Sequence, residues 1–100
     1  MIVIHGTARI KPGAREQAVA AASAASEASE AEEGNVAYRF AFDFRDPDQV
    51  HIFEIWESDE ALKAHFGTKH FAALGKALAE VLAGNVELTR YDVEKSGPLF

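Results

Sequence analysis

The histidines are the side chains of this sequence best suited to proton transfer, because a histidine exchanges a proton near neutral pH. There are four of them, His5, His51, His65 and His70. On one continuous helix, the five-residue step from His65 to His70 turns the two side chains about 140° apart. A helical zinc pair needs a step of four residues. The spacing therefore predicts no metal site, and a histidine beside an apolar pocket is the expected acid or base.

Glu54 and Trp56 share one face of a predicted strand, on which side chains alternate between the two sides. A carboxyl group held between aromatic side chains has a raised pKa and can act as a general base. The competing interpretation pairs Glu54 with Arg39 or Arg90 on a neighbouring strand. Trp56 either stacks on an aromatic substrate or only packs in the core.

Several classes of function are excluded by composition. Cysteine is absent, so there is no disulfide, thiolate nucleophile or iron–sulfur cluster. The chain has neither a glycine-rich phosphate loop nor a serine nucleophile elbow. Its net charge of −6 has the wrong sign for nucleic acid or an anionic membrane. Because no signal peptide or long apolar stretch is found, we expect a cytoplasmic protein.

Strand-forming and helix-forming runs alternate along the chain and predict six elements that position these side chains. They are strands at residues 2–10, 36–44, 50–57 and 86–93, a helix at 14–33, and a second helix from the Ser58 cap to about Gly84. In the strand at 36–44 the larger side chains alternate onto one aromatic face, which carries Val36, Tyr38, Phe40, Phe42 and Phe44. The second helix is expected to break at Gly67-Thr68, where its apolar stripe changes phase. The order β-α-β-β-α-β predicts a ferredoxin-like α+β domain over residues 1–93, with a four-stranded antiparallel sheet and a tail at 94–100.

Alanine makes up 19 of the chain's hydrophobic residues, and nine of these alanines lie in the helix at 14–33. This helix either packs loosely on the sheet or leaves space beneath it for a ligand. The strand at 50–57 has large apolar residues on both faces, and a sheet of this kind must be covered on both sides. We therefore expect an oligomer, with a cavity under the first helix.

Residues 53–71 carry a recognisable pattern. It consists of Glu54-x-Trp56, an acidic helix cap, Glu60-Ala61-Leu62-x-x-His65, and His70-Phe71 at the start of the next helical segment. The same pattern is continued elsewhere by Lys11-Pro12-Gly13, by Gly34 with Tyr38, and by Tyr91-Asp92-Val93. Over about residues 2–93 the sequence thus resembles the antibiotic biosynthesis monooxygenase family.

This resemblance implies a dimeric α+β barrel, in which two subunits pack sheet against sheet and each keeps a pocket between its sheet and helices. It also implies oxidation of a quinol or hydroxylated aromatic molecule by molecular oxygen, without a cofactor. The catalytic residues indicated by the pattern are His65 and Trp56. The expected substrate-binding residues are Tyr38, Phe40, Phe66, Phe71, His5 and Glu54.

Two other functions stay open at this point. One is a non-catalytic dimeric protein that binds a small aromatic metabolite in its pocket. The other is an isomerase or lyase acting on a small polar metabolite, which predicts a pocket lined by histidines and acids. Haem cleavage, found in one branch of the fold, is disfavoured because residues 71–75 lack the histidine that this branch uses.

Overall fold

The structure is a computed structural model that describes residues 1–100. It contains four strands and three helices. In chain order they are β1 (Ile2–Arg9), α1 (Arg15–Glu30), β2 (Asn35–Phe42), β3 (Gln49–Trp56), α2 (Asp59–Phe66), α3 (Lys69–Val81) and β4 (Glu87–Asp92). The strands form one antiparallel sheet in the order β2-β3-β1-β4, which confirms the predicted ferredoxin-like α+β fold.

The two faces of the sheet have different surroundings. Ile2 pairs with Trp56 and Ile4 with Glu54 across β1 and β3, and these side chains belong to the face that the helices cover, where Trp56 is fully buried. Val3, His5 and Phe53 point to the opposite face, because side chains alternate along a strand. No element of the chain covers that face.

Three predicted boundaries were wrong. The last helix, α3, ends at Val81 rather than near Gly84, because Leu82 has an extended backbone with a ψ of 138°. The first helix ends at Glu30 rather than at residue 33, because residues 31–34 form a turn that leads to Gly34 with a φ of 85°. The second strand ends at Phe42, because the Asp43 carboxylate accepts hydrogen bonds from the backbone N–H groups of Arg45 and Asp46 and bends the chain. Phe44 therefore lies in the turn and is fully exposed.

The start of β2 also differs from the prediction. The register shifts between Asn35 and Ala37, and the Asn35 side chain donates a hydrogen bond to the backbone oxygen of Ala37 at 3.0 Å. The sequence pattern predicts that Val36 shares a face with Tyr38 and Phe40. The bulge interrupts that alternation, and Val36 is half exposed. From Tyr38 to Phe42 the predicted alternation is confirmed.

The core between the sheet and the helices consists of two hydrophobic clusters. One includes Trp56, Tyr38 and Leu62, and the other consists of Ile10, Ala18 and Val81. None of the three helices combines the length and the apolar composition needed to cross a membrane.

Candidate functional site

Trp56 and His65 form the centre of a buried aromatic cluster. Their ring centroids are 4.7 Å apart, and both side chains are almost completely buried. Trp56 ends β3, and His65 lies on the inner face of α2, one turn after the buried Leu62. The helix begins at Ser58, whose hydroxyl accepts a hydrogen bond from the backbone of Ala61, so a local capping signal places His65 over the strand end.

The break between α2 and α3 brings His70 to the same place. Thr68 caps α3 by accepting a hydrogen bond from the Phe71 backbone, and its hydroxyl donates to the backbone oxygen of His65 at 2.7 Å. The ring centroids of His65 and His70 are 5.7 Å apart. The predicted break is confirmed, and the angle calculated for a continuous helix therefore does not apply to these two residues.

Glu32 joins the two histidines. Its Oε2 atom lies 2.6 Å from His65 Nδ1 and 2.9 Å from His70 Nε2. The turn that carries Glu32 is held against the start of α2, since the Glu57 backbone donates to the Gly34 carbonyl at 2.8 Å. A methyl group at Gly34 would lie 2.5 Å from the Cβ of Ala61, so glycine is required for this close approach.

The other nitrogen of His65, Nε2, is buried and has no hydrogen-bond partner. A buried polar atom without a partner costs about 1–3 kcal/mol. Such an atom at the centre of an aromatic cluster is available to a ligand group that can donate or accept a hydrogen bond.

Glu54 has a partner other than those proposed from the sequence. Its Oε1 atom accepts a hydrogen bond from the Trp56 indole nitrogen at 2.9 Å. Pairing with Arg39 or Arg90 was wrong, because Arg39 pairs with Glu30 and Arg90 with Asp59. Burial raises the pKa of Glu54 above its ordinary value, and the hydrogen bond from Trp56 offsets part of this effect. The alternative interpretation, a carboxyl group with a raised pKa, is confirmed in its direction.

Three aromatic residues expected in the site surround His65. The rings of Tyr38, Phe71 and Phe66 lie 5.2, 5.0 and 6.1 Å from its ring. Tyr38 is buried, whereas Phe66 and Phe71 are partly exposed. Burial raises the pKa of Tyr38 above its ordinary range, and the nearby Glu54 carboxyl adds to the effect. Phe40 contacts Tyr38 edge to face, at 5.7 Å between ring centroids.

His5 is not part of this site. It is exposed on the opposite face of the sheet, where its ring stacks on His51 at 6.0 Å between centroids. The structure places His5 apart from the other expected site residues, because the helices pack on the face of Ile2 and Ile4 and leave the alternate positions of β1 on the other side. His51 itself is hydrogen-bonded to Asp43 at 3.0 Å.

A cavity of about 470 Å³ lies beneath α1, as the alanine distribution predicts. Twelve of the 17 residues that line it are hydrophobic. The apolar part of the lining includes Ala18, Val19, Ala22, Phe40, Phe42, Ile52 and Leu78, and Arg15 is one of its polar residues. Trp56 and His65 do not line this cavity. Phe40 and Leu78, which line the cavity, pack against the core cluster that contains Tyr38 and Trp56, and Tyr38 contacts both Phe40 and His65.

Glu32 is absent from the residues that the sequence indicates, and His70 is set aside there because of its angle to His65 on a continuous helix. Together with His65 they offer three metal-ligating atoms within 4.8 Å of one another. The sequence signal that could have found His70 was the helix break itself, which removes the angular argument against the pair. Nothing local in the sequence identifies Glu32, which is 33 residues from His65 along the chain.

Replacing Glu54 with glutamine is expected to change how stability depends on pH. Because burial raises the pKa of Glu54 in the folded protein, the folded state binds this proton more tightly than the unfolded state does. The stability that this difference contributes is fully present below the unfolded-state pKa and is lost as the pH rises through the folded-state pKa. The free energy of unfolding of the wild type should therefore fall, relative to Glu54→Gln, as pH is raised from about 4 to about 8. Denaturant unfolding of both proteins across this range measures the difference.

Glu57→Gln is the matched control for this comparison, because Glu57 is exposed three residues further along the chain. Its difference from the wild type should vary little with pH. The prediction would be contradicted if Glu54→Gln and Glu57→Gln followed the same pH dependence.

The comparisons with known proteins agree with this architecture. The family model described as "Antibiotic biosynthesis monooxygenase" matches residues 1–77. The Bacillus subtilis (strain 168) protein named "Putative monooxygenase YcnE" is 27% identical over 95 residues, which cover 95% of this chain and 100% of that protein.

Solved structures show the same fold. A Nitrosomonas europaea structure described as a "Putative antibiotic biosynthesis monooxygenase" superposes with a TM-score of 0.88 at 22% identity, covering 95% of this chain and 100% of that one. A conserved Bacteroides thetaiotaomicron protein described as a "Possible Oxidoreductase" superposes with a TM-score of 0.83 at 30% identity, covering 90% of this chain and 94% of that one. Because the family model spans more than three quarters of the sequence, the chain belongs to the antibiotic biosynthesis monooxygenase family.

Proposed function

We propose that this protein is a monooxygenase that oxidises a quinol or another hydroxylated aromatic molecule with molecular oxygen, without a bound cofactor. The observation that carries the proposal is the apolar cavity beneath α1, whose Phe40 contacts Tyr38 of a cluster containing a buried histidine with an unpartnered nitrogen. Such a site would hold an electron-rich ring, remove its proton and exclude water while the substrate anion reacts with oxygen.

The cavity has the properties that an aromatic ligand requires. Its volume of about 470 Å³ is within the usual range for small-molecule pockets, about 300–1,000 Å³. Arg15, at its edge, lies 3.9 Å from the centre of the Phe42 ring and forms no ion pair. A free cation beside an apolar pocket suits a phenolate or another aromatic anion.

The His65 cluster would supply the proton acceptor. A base positioned near the substrate hydroxyl accelerates proton transfer by about 10²–10⁴-fold. Because Tyr38 stands between Phe40 and His65, the proposal requires the Tyr38 ring to move when the hydroxyl end of the substrate approaches His65. The same movement of Tyr38 would allow the substrate ring to contact the Trp56 side chain.

Oxygen uptake with a panel of benzoquinols and naphthoquinols tests this function. The protein is expected to increase uptake above the rate of spontaneous oxidation, with saturation as the quinol concentration rises. Product analysis should show one oxygen atom from ¹⁸O₂ incorporated per turnover, while the other leaves as water with two protons and two electrons taken from the quinol. Uptake equal to that of a heat-denatured sample for every quinol would contradict the proposal.

A second function, binding of an aromatic metabolite without catalysis, is favoured by one observation. Trp56 and His65 are closed off from the cavity that would receive the ligand. Saturable ligand binding in calorimetry, without oxygen uptake for the same ligand, would support this function instead.

The alternative of an isomerase or lyase has less support. It predicts a pocket lined by histidines and acids, whereas alanine, phenylalanine and aliphatic side chains dominate the lining of the cavity. The cytoplasmic location stays a prediction from the sequence.

We also propose that the protein is a homodimer formed through the uncovered face of the sheet. Val3 is paired with Ile55 on one side and with Tyr91 on the other, so the three side chains make a row across β3, β1 and β4. Phe53 is next to this row and is 37% exposed, and Tyr91 is 52% exposed. Contiguous apolar surface of this kind favours association.

Light scattering tests the dimer. The wild type is expected to show twice the chain mass of 10.9 kDa at micromolar concentration, and Phe53→Asp should shift it to the monomer because a buried carboxylate at the interface is costly. Phe44→Asp is the matched control, because Phe44 is a fully exposed turn residue. A wild type of 10.9 kDa would overturn the dimer.

A further inference from the structure

We propose that Glu32 is a positioning residue that fixes the tautomer of His65 and leaves the Nε2 atom of His65 as the proton acceptor for the substrate hydroxyl. This inference rests on the proposed function for its catalytic meaning. The tautomer itself is a property of the protein without substrate and can be tested separately.

The geometry around Glu32 determines where the protons lie. Its Oε2 atom faces His65 Nδ1 at 2.6 Å and His70 Nε2 at 2.9 Å. A carboxylate oxygen can only accept hydrogen bonds. Each histidine nitrogen that faces it, Nδ1 of His65 and Nε2 of His70, must therefore carry a proton and donate it in a hydrogen bond. In a neutral ring, the contact with Glu32 places the proton of His65 on Nδ1 and leaves Nε2 with a lone pair.

The surroundings of His65 keep this lone pair free. His65 is 1% exposed, and its Nε2 has no hydrogen-bond partner. The rings of Trp56, Phe71 and Tyr38 pack against it within 5.2 Å between centroids. The other ionisable groups beside this ring are Tyr38 and Glu54, and the Oε1 atom of Glu54 already accepts the Trp56 hydrogen bond.

The proton transfer that follows is balanced within the site. The substrate O–H bond breaks, its proton binds to His65 Nε2, and the substrate keeps the electron pair as an oxyanion. The ring becomes an imidazolium whose Nδ1–H still donates to Glu32, so the new positive charge lies beside a carboxylate. Such a pair stabilises the charged ring in a buried position where water cannot.

His70 holds Glu32 in this arrangement. It donates to the same oxygen from α3, and with a side chain 26% exposed it lies between the buried pair and solvent. The distances favour hydrogen bonds over a shared metal ion. Ligand atoms on a tetrahedral zinc with bonds of about 2.0 Å are about 3.3 Å apart, which is longer than the 2.6 Å between His65 Nδ1 and Glu32 Oε2.

Long-range ¹H–¹⁵N NMR of histidine-labelled protein tests the tautomer, with the His65 signals assigned from their loss in His65→Ala. The wild type is expected to show the Nδ1–H form of His65, and Glu32→Gln a mixture of both forms. Glu33→Gln is the matched control, because Glu33 is the exposed neighbour of Glu32, and it should leave the spectrum unchanged.

Kinetics of the same variants test the positioning role. Glu32→Gln is expected to lower kcat for quinol oxidation about 10- to 100-fold with little change in KM, whereas Glu33→Gln keeps the wild-type values. An Nε2–H form of His65 in the wild type overturns the inference, as does one metal ion per chain bound through these nitrogens. If no quinol is oxidised, the proposed function fails, and the wild-type spectrum still decides the tautomer.

Discussion

Replacement of His65 with alanine is expected to lower the rate of quinol-dependent oxygen uptake by about 10²–10⁴-fold, the range lost when a general base is removed. The change deletes the unpartnered Nε2 atom at the centre of the Trp56 cluster. The measurement is the steady-state rate of oxygen uptake at saturating quinol, after subtraction of spontaneous oxidation. An unchanged rate would remove His65 from the mechanism.

Two further variants distinguish loss of the base from loss of side-chain volume. His65→Gln keeps more of the side-chain volume and can still donate to Glu32, but it cannot act as a base, so it should lose as much activity as His65→Ala. His51→Ala removes a histidine hydrogen-bonded to Asp43, away from the cluster, and should keep the wild-type rate. Circular dichroism melting of each variant shows whether the fold is retained.

Replacement of Ala22 with leucine is expected to weaken the binding of an aromatic anion about tenfold or more, because the larger side chain occupies the cavity that the ligand would fill. The protein should stay folded. Filling an apolar cavity commonly raises the free energy of unfolding by about 0.5–2 kcal/mol. Fluorescence titration with anilinonaphthalene sulfonate measures binding, and denaturant unfolding measures stability.

Ala24→Leu is the matched control, since it makes the same substitution on the exposed side of the same helix. Its affinity for the dye should equal that of the wild type. Equal affinities in Ala22→Leu and Ala24→Leu would show that the ligand does not bind beneath α1, and the proposed substrate site would then be wrong.

The element order was predictable because each element depends on signals close together in the chain. The period-two alternation from Tyr38 to Phe42, the Ser58 cap and the phase change at Gly67-Thr68 all correspond to structure at those positions. The errors lie at element ends. There, hydrogen bonds of single residues decided the outcome, such as those that the Asp43 carboxylate accepts in the turn after β2.

The candidate site was predictable only in part. Trp56, His65 and Tyr38 come together, as the family pattern indicates. His5 does not join them, because the pattern of alternation along β1 does not state which face the helices will cover. Glu54 accepts a hydrogen bond from the indole of Trp56 and pairs with neither arginine. Arg39 projects from the other face of the sheet, and β1 lies between the strand of Arg90 and the strand of Glu54.

By itself the sequence determined the type and order of the elements, the aromatic face of the hairpin and the small-residue face of α1, because these follow from local propensity and periodicity. Only the tertiary structure decided that His65 and His70 both contact one oxygen atom of Glu32, and that Tyr38 contacts both His65 and Phe40. Contacts of this kind join residues more than 30 positions apart. They depend on how the helices pack on the sheet, which no local pattern encodes.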